Sequence, residues 1–262
     1  MTQTSLKSSL KHLPSVSALD ATCIGLAWHA YFSRVLTGSI DPIKMTVLGL
    51  SIWLVYMSDR LFDVRHGLEI ESQRHQFAKN YEKPLWLLWL IVLIFDIILS
   101  LNSLNSDKIF QGILLLGFLL VYTLLNQLIF KKAFPKELFV AGIFSYGVLF
   151  LIDAVIDHYT FISYGIICFL NCLILSEKES AIDHKIGIKS LGSILGRKKV
   201  LILSLIASLG FLIASLDPGS PYSIVSLSLL LTYSFSKNLN NETFRALIEA
   251  QFFIFPLAFI LL

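Results

Sequence analysis

Nine apolar runs joined mostly by short polar connections constrain this chain more than any other feature of its sequence. With soft boundaries they cover 16–33, 43–63, 84–102, 108–130, 137–156, 159–177, 200–216, 222–236 and 246–262. Runs of roughly 17–25 apolar residues match the helix length that crosses the hydrocarbon of a bilayer. There, every backbone N–H and C=O must find its partner within the segment. A spanning barrel would need short alternating segments, and none is evident. Hydrophobic residues make up 55% of the chain and charged residues 15%, against roughly a quarter charged in soluble domains. The expectation is an all-α membrane protein, a single domain over 1–262 built as a nine-transmembrane-helix bundle.

The first fifteen residues are polar, with Lys7, Lys11 and His12, and the run after them lacks a small-residue cleavage site. It therefore reads as the first membrane helix rather than a cleaved leader. Cys23, Cys168 and Cys172 all lie in apolar segments, and Cys168 and Cys172 share a helix face without His or carboxylate partners nearby; three cysteines cannot all pair, so they read as small core residues rather than metal or redox groups.

Nine crossings divide the connections into two sets. Eighteen of the 21 Lys and Arg fall on the side holding the N-terminus and the loops 64–83, 131–136, 178–199 and 237–245, leaving Arg34, Lys44 and Lys108 for the other. Such an asymmetry puts the first side in the cytoplasm. Basic loops that hug a membrane and lack aromatic readout elements exclude a nucleic-acid partner.

Two charged clusters on that side repeat each other. Asp59-Arg-Leu-Phe-Asp63-Val-Arg65-His-Gly67 aligns with Glu179-Ser-Ala-Ile-Asp183-His-Lys185-Ile-Gly187: an acid, three residues, Asp, one residue, a base, one residue, Gly. Four apolar segments separate the copies, so the second and sixth segments run the same way. Helices 2–5 and 6–9 then form two pseudo-repeats, with the first helix added, and sites in such bundles lie where repeats meet. Residues four apart stack on one helix face, so Asp59 with Asp63, and Glu179 with Asp183, each present two carboxylates together. Like charges on adjacent turns near lipid call for a cation. Oxygen-only ligands favour Mg²⁺ or Ca²⁺ over zinc, and Mg²⁺ commonly adds substrate phosphates to one or two carboxylates. Arg60, Arg65, Lys178, Lys185 and Lys189 suit phosphate oxygens, and Lys131, Lys132, Arg197, Lys198 and Lys199 add positive charge to the same face. Charges at helix ends also mark ordinary solvated interfaces; the matching second copy argues for a shared diphosphate–metal site.

These motifs resemble those of the UbiA superfamily of intramembrane prenyltransferases. Asp59-Arg60-x-x-Asp63 is similar to the second half of that family's first aspartate-rich motif. Ser176-x-x-Glu179-x-x-x-Asp183 resembles the second motif, and Gly187, Ser190-Leu191 and Leu195-Gly196-Arg197-Lys198-Lys199 resemble the elements downstream of it. Asn171, Lys131-Lys132, Pro135-Lys136-Glu137 and Gly142 match further family positions. Val55 and Tyr56 replace the Asn-Asp pair of the first motif, and Ser176 and Glu179 replace aspartates of the second. The resemblance implies a bundle around a central lipid-accessible cavity, with Mg²⁺ on Asp59, Asp63, Glu179 and Asp183 holding an isoprenyl diphosphate. It implies a diphosphate clamp of Arg60, Arg65, Lys131, Lys132, Lys178, Lys185, Arg197 and Lys198, and substrate contacts from Tyr56, Asn126, Asn171 and Ser176. The expected activity is prenyl transfer to an aromatic or other lipophilic acceptor. A terpene cyclase needing no acceptor, or a non-catalytic relative, are the other readings.

Aromatic faces stabilise an allylic cation; Trp53, Tyr56, Phe62, Tyr122, Phe144 and Tyr146 have suitable depth. Asp96 sits mid-segment and either lines the cavity or accepts from a neighbouring helix. Gln127 accompanies Asn126, Asp153 lies beside Asp157 and His158 at an outer end, and Glu249 pairs locally with Arg245. Arg74-His75 fit a cytoplasmic cap. Without a transit peptide, the chain suits a bacterial inner membrane, with N-terminus and acidic motifs cytoplasmic.

Overall fold

The computed structural model describes residues 17–65, 73–128, 135–181, 190–214 and 221–261, with the side chains at 63, 65, 73–75 and 125–128 outside the description. The described residues contain no strand. Ten helices follow in order: α1 Leu19–Thr37, α2 Pro42–Arg65, α3 Gln73–Asn80, α4 Glu82–Ser103, α5 Ser106–Leu128, α6 Lys136–Phe150, α7 His158–Lys178, α8 Leu191–Ala214, α9 Pro221–Phe235 and α10 Asn241–Leu261. Apart from the short α3, each falls on one of the nine apolar runs. Among the described residues, five are long and apolar enough to cross a membrane: Pro42–Phe62, Glu82–Ser103, Ser106–Leu124, His158–Lys178 and Asn241–Leu261. The chain is an integral membrane protein.

Two boundaries differ from the sequence expectation, each for a polar reason. The run read as 137–156 is helical only to Phe150. Asp157 is committed to capping α7 instead, its carboxylate accepting from Thr160 N–H (2.9 Å) and Thr160 Oγ1–H (2.7 Å). Such a cap needs an extended residue before the helix, and Asp157 has ψ 156°. The run read as 200–216 begins instead at Leu191. Ser190 caps it, accepting from Ser193 N–H at 3.2 Å. Gly196, at φ 71° and ψ 163°, breaks the helix one turn in, a conformation open to a residue without Cβ. Arg197–Lys199 thus ride on a helix rather than in a loop.

The helices gather into two compact units, Met1–Leu26 with Ile40–Ile109, and Ala27–Ser39 with Phe110–Leu262. In the first unit, Ala18, Met57, Leu61 and Leu85 form a core against which Trp53, Tyr56, Phe77, Trp86 and Trp89 pack. Indole N–H groups tie its elements together, Trp53 donating to the Ser17 carbonyl (3.0 Å) and Trp89 to that of Leu54 (2.9 Å). On α4 the two buried residues are Leu85 and Asp96, whereas Leu87, Ile91, Phe95, Ile98 and Leu101 are about half exposed or more. A helix with its carboxylate inward and its apolar residues outward is solvated by lipid, not water. Asp96 Oδ2 accepts from Ser51 on α2 (2.8 Å), which decides between the two roles open to it: it is a helix-to-helix acceptor.

The second unit packs around an aromatic cluster. Trp28 on α1 lies 5.6 Å from Phe32, 4.9 Å from Tyr164 on α7 and 5.9 Å from Phe252 on α10, between ring centroids. His29 Nδ1 donates to the Val148 carbonyl at 2.7 Å, fastening α1 to α6. Cys168 is buried and Cys172 partly so, but Cys23, expected in a core, is exposed on α1; in a membrane helix the outer face is as apolar as the inner one.

Trp28 is fully buried, yet its Nε1 has no hydrogen-bond partner among the described residues. Trp28→Ala is expected to cost about 3–5 kcal/mol, and Trp28→Phe a small part of that because no hydrogen bond is lost; thermal unfolding in detergent measures both. The Thr160 hydrogen bonds hold the Asp157 carboxyl below the ordinary carboxylate value. The stabilisation is therefore present above that ordinary value and lost as pH falls through the depressed one. Asp157→Ala should lower Tm at neutral pH and make no difference once the carboxyl of the parent is protonated.

Candidate functional site

The first acidic cluster lies on the last turns of α2. Because α2 runs unbroken to Arg65, Asp59 and Asp63 stand four residues apart on one helix, as the spacing predicts. Asp59 is exposed, whereas its neighbour Arg60 is buried beside Met57 and Leu61. Arg60 reaches Asp20 at the start of α1, with Nη2 3.9 Å from Oδ1. A buried guanidinium needs a counter-charge, and Asp20, not singled out by the sequence reading, supplies it. The α2 end thus places one carboxylate outward and fixes the helix by an ion pair beneath. Tyr56 lies against the first unit's core, and the Val55 carbonyl accepts from Ser58 Oγ (2.8 Å). Asp63 and Arg65 have side chains outside the description.

The second cluster has a different local structure. α7 ends at Lys178 and Glu179 is its C-cap, with φ −89° and ψ 2°. Glu179 is held by Arg245 of α10: Nε and Nη2 donate to Oε1 at 2.9 and 2.5 Å, and Nη2 also reaches Oε2 at 2.5 Å. The same guanidinium donates to Glu249 at 3.5 Å, so the expected local pair forms but is the longer of Arg245's two carboxylate contacts. Glu177 accepts from the buried Tyr233 hydroxyl at 2.5 Å. Ser176 is buried, its Oγ donating to the Leu173 carbonyl at 3.1 Å. Gly192 crosses here so closely that a Cβ would lie 2.5 Å from Glu177 N and 2.7 Å from Leu173 O. A Cβ contact under 3.0 Å is not sustained, so position 192 takes glycine alone, and position 176 faces packed backbone.

The basic residues of this end are largely spent on carbonyls. Lys178 Nζ donates to the Ser236 carbonyl (2.8 Å) and sits 5.6 Å from the Phe244 ring centroid. Arg197 Nη2 donates to the carbonyls of Tyr233 (2.8 Å) and Ser234 (3.2 Å), with the guanidinium over the Tyr233 ring at 4.8 Å. Both cations therefore satisfy acceptors that the end of α9 leaves open, where positive charge also suits the helix dipole. Lys198 is exposed. Asn171 has a buried Oδ1 with no hydrogen-bond partner among the described residues. Lys131, Lys132, Asp183, Lys185 and Lys189 lie outside the described residues, as do the side chains of Asn126, Gln127, Arg74 and His75.

Glu137, noted in the sequence only as part of a family pattern, proves central. It is 3% exposed, and its Oε1 accepts from Leu191 N–H at 2.9 Å. A carboxylate from α6 thereby closes the N-terminus of α8. Within the second unit, the ends carrying 136–137, 177–179, 190–197 and 236–245 thus converge on one polar face. Within the first, Asp20, Arg60 and α3 likewise share an end.

Of the aromatic candidates, Trp53 and Tyr56 serve core packing. Phe62 stands edge-on to Trp86 at 5.5 Å, Tyr122 stacks on Phe139 at 5.8 Å and Tyr146 on Phe150 at 5.9 Å. Phe144 is partly buried and Asp153 exposed. For a divalent ion the residues fit unequally. Asp59 is an exposed carboxylate of the type Mg²⁺ takes, and the Glu179 carboxylate has a guanidinium on both of its oxygens.

No protein-family model matches the sequence, and no curated protein matches it. Solved structures do match in fold. A UbiA homolog from Aeropyrum pernix K1, in its apo form, superposes with a TM-score of 0.61 at 14% identity, covering 94% of this chain and 98% of that one. A digeranylgeranylglyceryl phosphate synthase gives a TM-score of 0.51 at 16% identity, covering 96% and 94%. The chain has the UbiA-type fold over nearly its whole length.

Gly192→Ala is expected to force α7 and α8 apart and cost about 1–3 kcal/mol. A lowered Tm in detergent is the readout, and Gly210→Ala, where a Cβ meets nothing within 4 Å, serves as the tolerated control.

Proposed function

We propose that this membrane protein is a prenyltransferase that ionises an isoprenyl diphosphate and delivers the prenyl group to a lipophilic or aromatic acceptor. The observation that carries the reading is the acid pair Asp59 and Asp63 at the end of α2, Asp59 exposed there, in a chain with the UbiA-type fold. One of the structures with that fold is a digeranylgeranylglyceryl phosphate synthase, which supports an isoprenoid substrate.

Diphosphate leaves only when its developing charge is neutralised. Asp59, Asp63 and Asp183 are the carboxylates we assign to Mg²⁺, which when bound supplies that neutralisation without a proton donor. Glu179 takes part through Arg245. Arg65, Lys131, Lys132, Lys185 and Lys198 are the proposed anion clamp. Arg60, Lys178 and Arg197 shape the site from behind, since their head groups already serve Asp20 and backbone carbonyls. Asn171, whose buried Oδ1 has no hydrogen-bond partner among the described residues, is the polar contact we assign to substrate or acceptor, with Asn126 and Tyr56 as further candidates. The reading includes nine crossings, with the basic ends and both acidic clusters cytoplasmic, in a bacterial inner membrane.

Incubation with Mg²⁺ and geranyl, farnesyl or geranylgeranyl diphosphate tests the proposal. Release of diphosphate that depends on a phenol or quinone precursor is the expected outcome, with loss on chelation and a drop of at least about 100-fold for Asp63→Asn or Asp183→Asn. Terpene formed without acceptor would identify a cyclase. Silence with every substrate, or full activity in both variants, would sink the assignment.

A further inference from the structure

The two acidic clusters match in sequence, and the second meets a guanidinium from α10. Arg245 grips Glu179 in a fork, through Nε and Nη2 on Oε1 and Nη2 on Oε2. Through Nη1 it also reaches Glu249, one turn further along α10. One delocalised positive charge therefore stands between two carboxylates. The side chains involved are all partly withdrawn from solvent, Arg245 at 19% exposure, Glu179 at 28% and Glu249 at 18%.

This placement is built into the fold. Phe244 and Ile248, which flank Arg245 on α10, are fully buried, so the helix cannot roll to withdraw the guanidinium. Glu179 is fixed as the cap of α7. Among the described residues, Lys178 and Arg197 are occupied by the carbonyls of Ser236, Tyr233 and Ser234. A guanidinium keeps its charge at any relevant pH, and its planar fork matches a carboxylate on both oxygens. A divalent ion seeking Glu179 would have to displace both bonds and then face Arg245 as a like charge.

We propose that Arg245 is a resident counter-cation for the second acidic cluster, supplying the positive charge there that a divalent ion would otherwise bring, so that Glu179 is not a metal ligand. The proposal deepens the prenyltransferase reading by assigning one cation of its diphosphate site to the chain itself. The charge at Glu179 is then independent of metal concentration.

The test counts Mn²⁺ by electron paramagnetic resonance on the full chain in detergent, with and without inorganic pyrophosphate. Glu179→Gln should bind as many Mn²⁺ as the parent, at an affinity within about twofold. Arg245→Gln, which takes the guanidinium away from Glu179 and Glu249, should gain one equivalent, and adding Glu179→Gln to it should remove that equivalent. Arg245→Lys keeps the charge and should keep the parent count. A loss of Mn²⁺ in Glu179→Gln alone overturns the proposal, as does an unchanged count in a folded Arg245→Gln. The outcome is separable from the enzymatic reading. If Asp59→Asn and Asp63→Asn leave Mn²⁺ binding intact and no diphosphate is released, the transferase assignment falls while the Arg245 result stands by its own counts.

Discussion

The contact on which the polar end of the second unit depends is one between backbones. Where α8 crosses α7, Gly192 meets Leu173 O and Glu177 N with no room for a methyl group. Ser176 is thereby buried under the crossing, a position that a longer acidic side chain would pry open. Just before it, Glu137 receives the first free N–H of α8, so a single carboxylate joins the start of α6 to the start of α8. Close approach and cap together determine where the chain leaves Glu179 and where it returns at Ser190. Both are local effects, yet they bracket the segment that carries Asp183.

Around that frame, charge is used economically inside a low-dielectric environment. Lys178 and Arg197 close the open carbonyls at the end of α9, and Arg245 neutralises Glu179. Each cation meets an acceptor that would otherwise be buried near lipid at a cost of several kcal/mol. The first unit follows the same rule, with Arg60 on Asp20 and Ser51 on Asp96. Basic residues that look alike in sequence thus divide into those that hold helices together and those left facing outward, such as Lys198.

The helical plan was legible because period and length of apolar runs report directly on membrane crossing. Asp59 and Asp63 were legible because α2 is continuous through them. At the second cluster Glu179 is the C-cap of α7, which the spacing alone does not signal. The roles of Glu137 and Arg245 depend on contacts across 54 and 66 residues of sequence, which no local pattern encodes. The same holds for Asp20 under Arg60. Helix ends shifted wherever a polar residue had a distant or capping partner, at Asp157 and at Ser190, because hydropathy does not weigh a cap.

The two 15-residue helices have a consequence for the solvent rather than for the protein. At 1.5 Å per residue, α6 and α9 each rise about 22 Å, some 8 Å less than the hydrocarbon of an average bilayer. Where these helices cross the bilayer, as the nine-crossing proposal has it, lipid beside them has to thin to keep its headgroups level with the helix ends, at a fraction of a kcal/mol per ångström of mismatch. Membrane thickness then enters the energetics of this unit as a variable of its own.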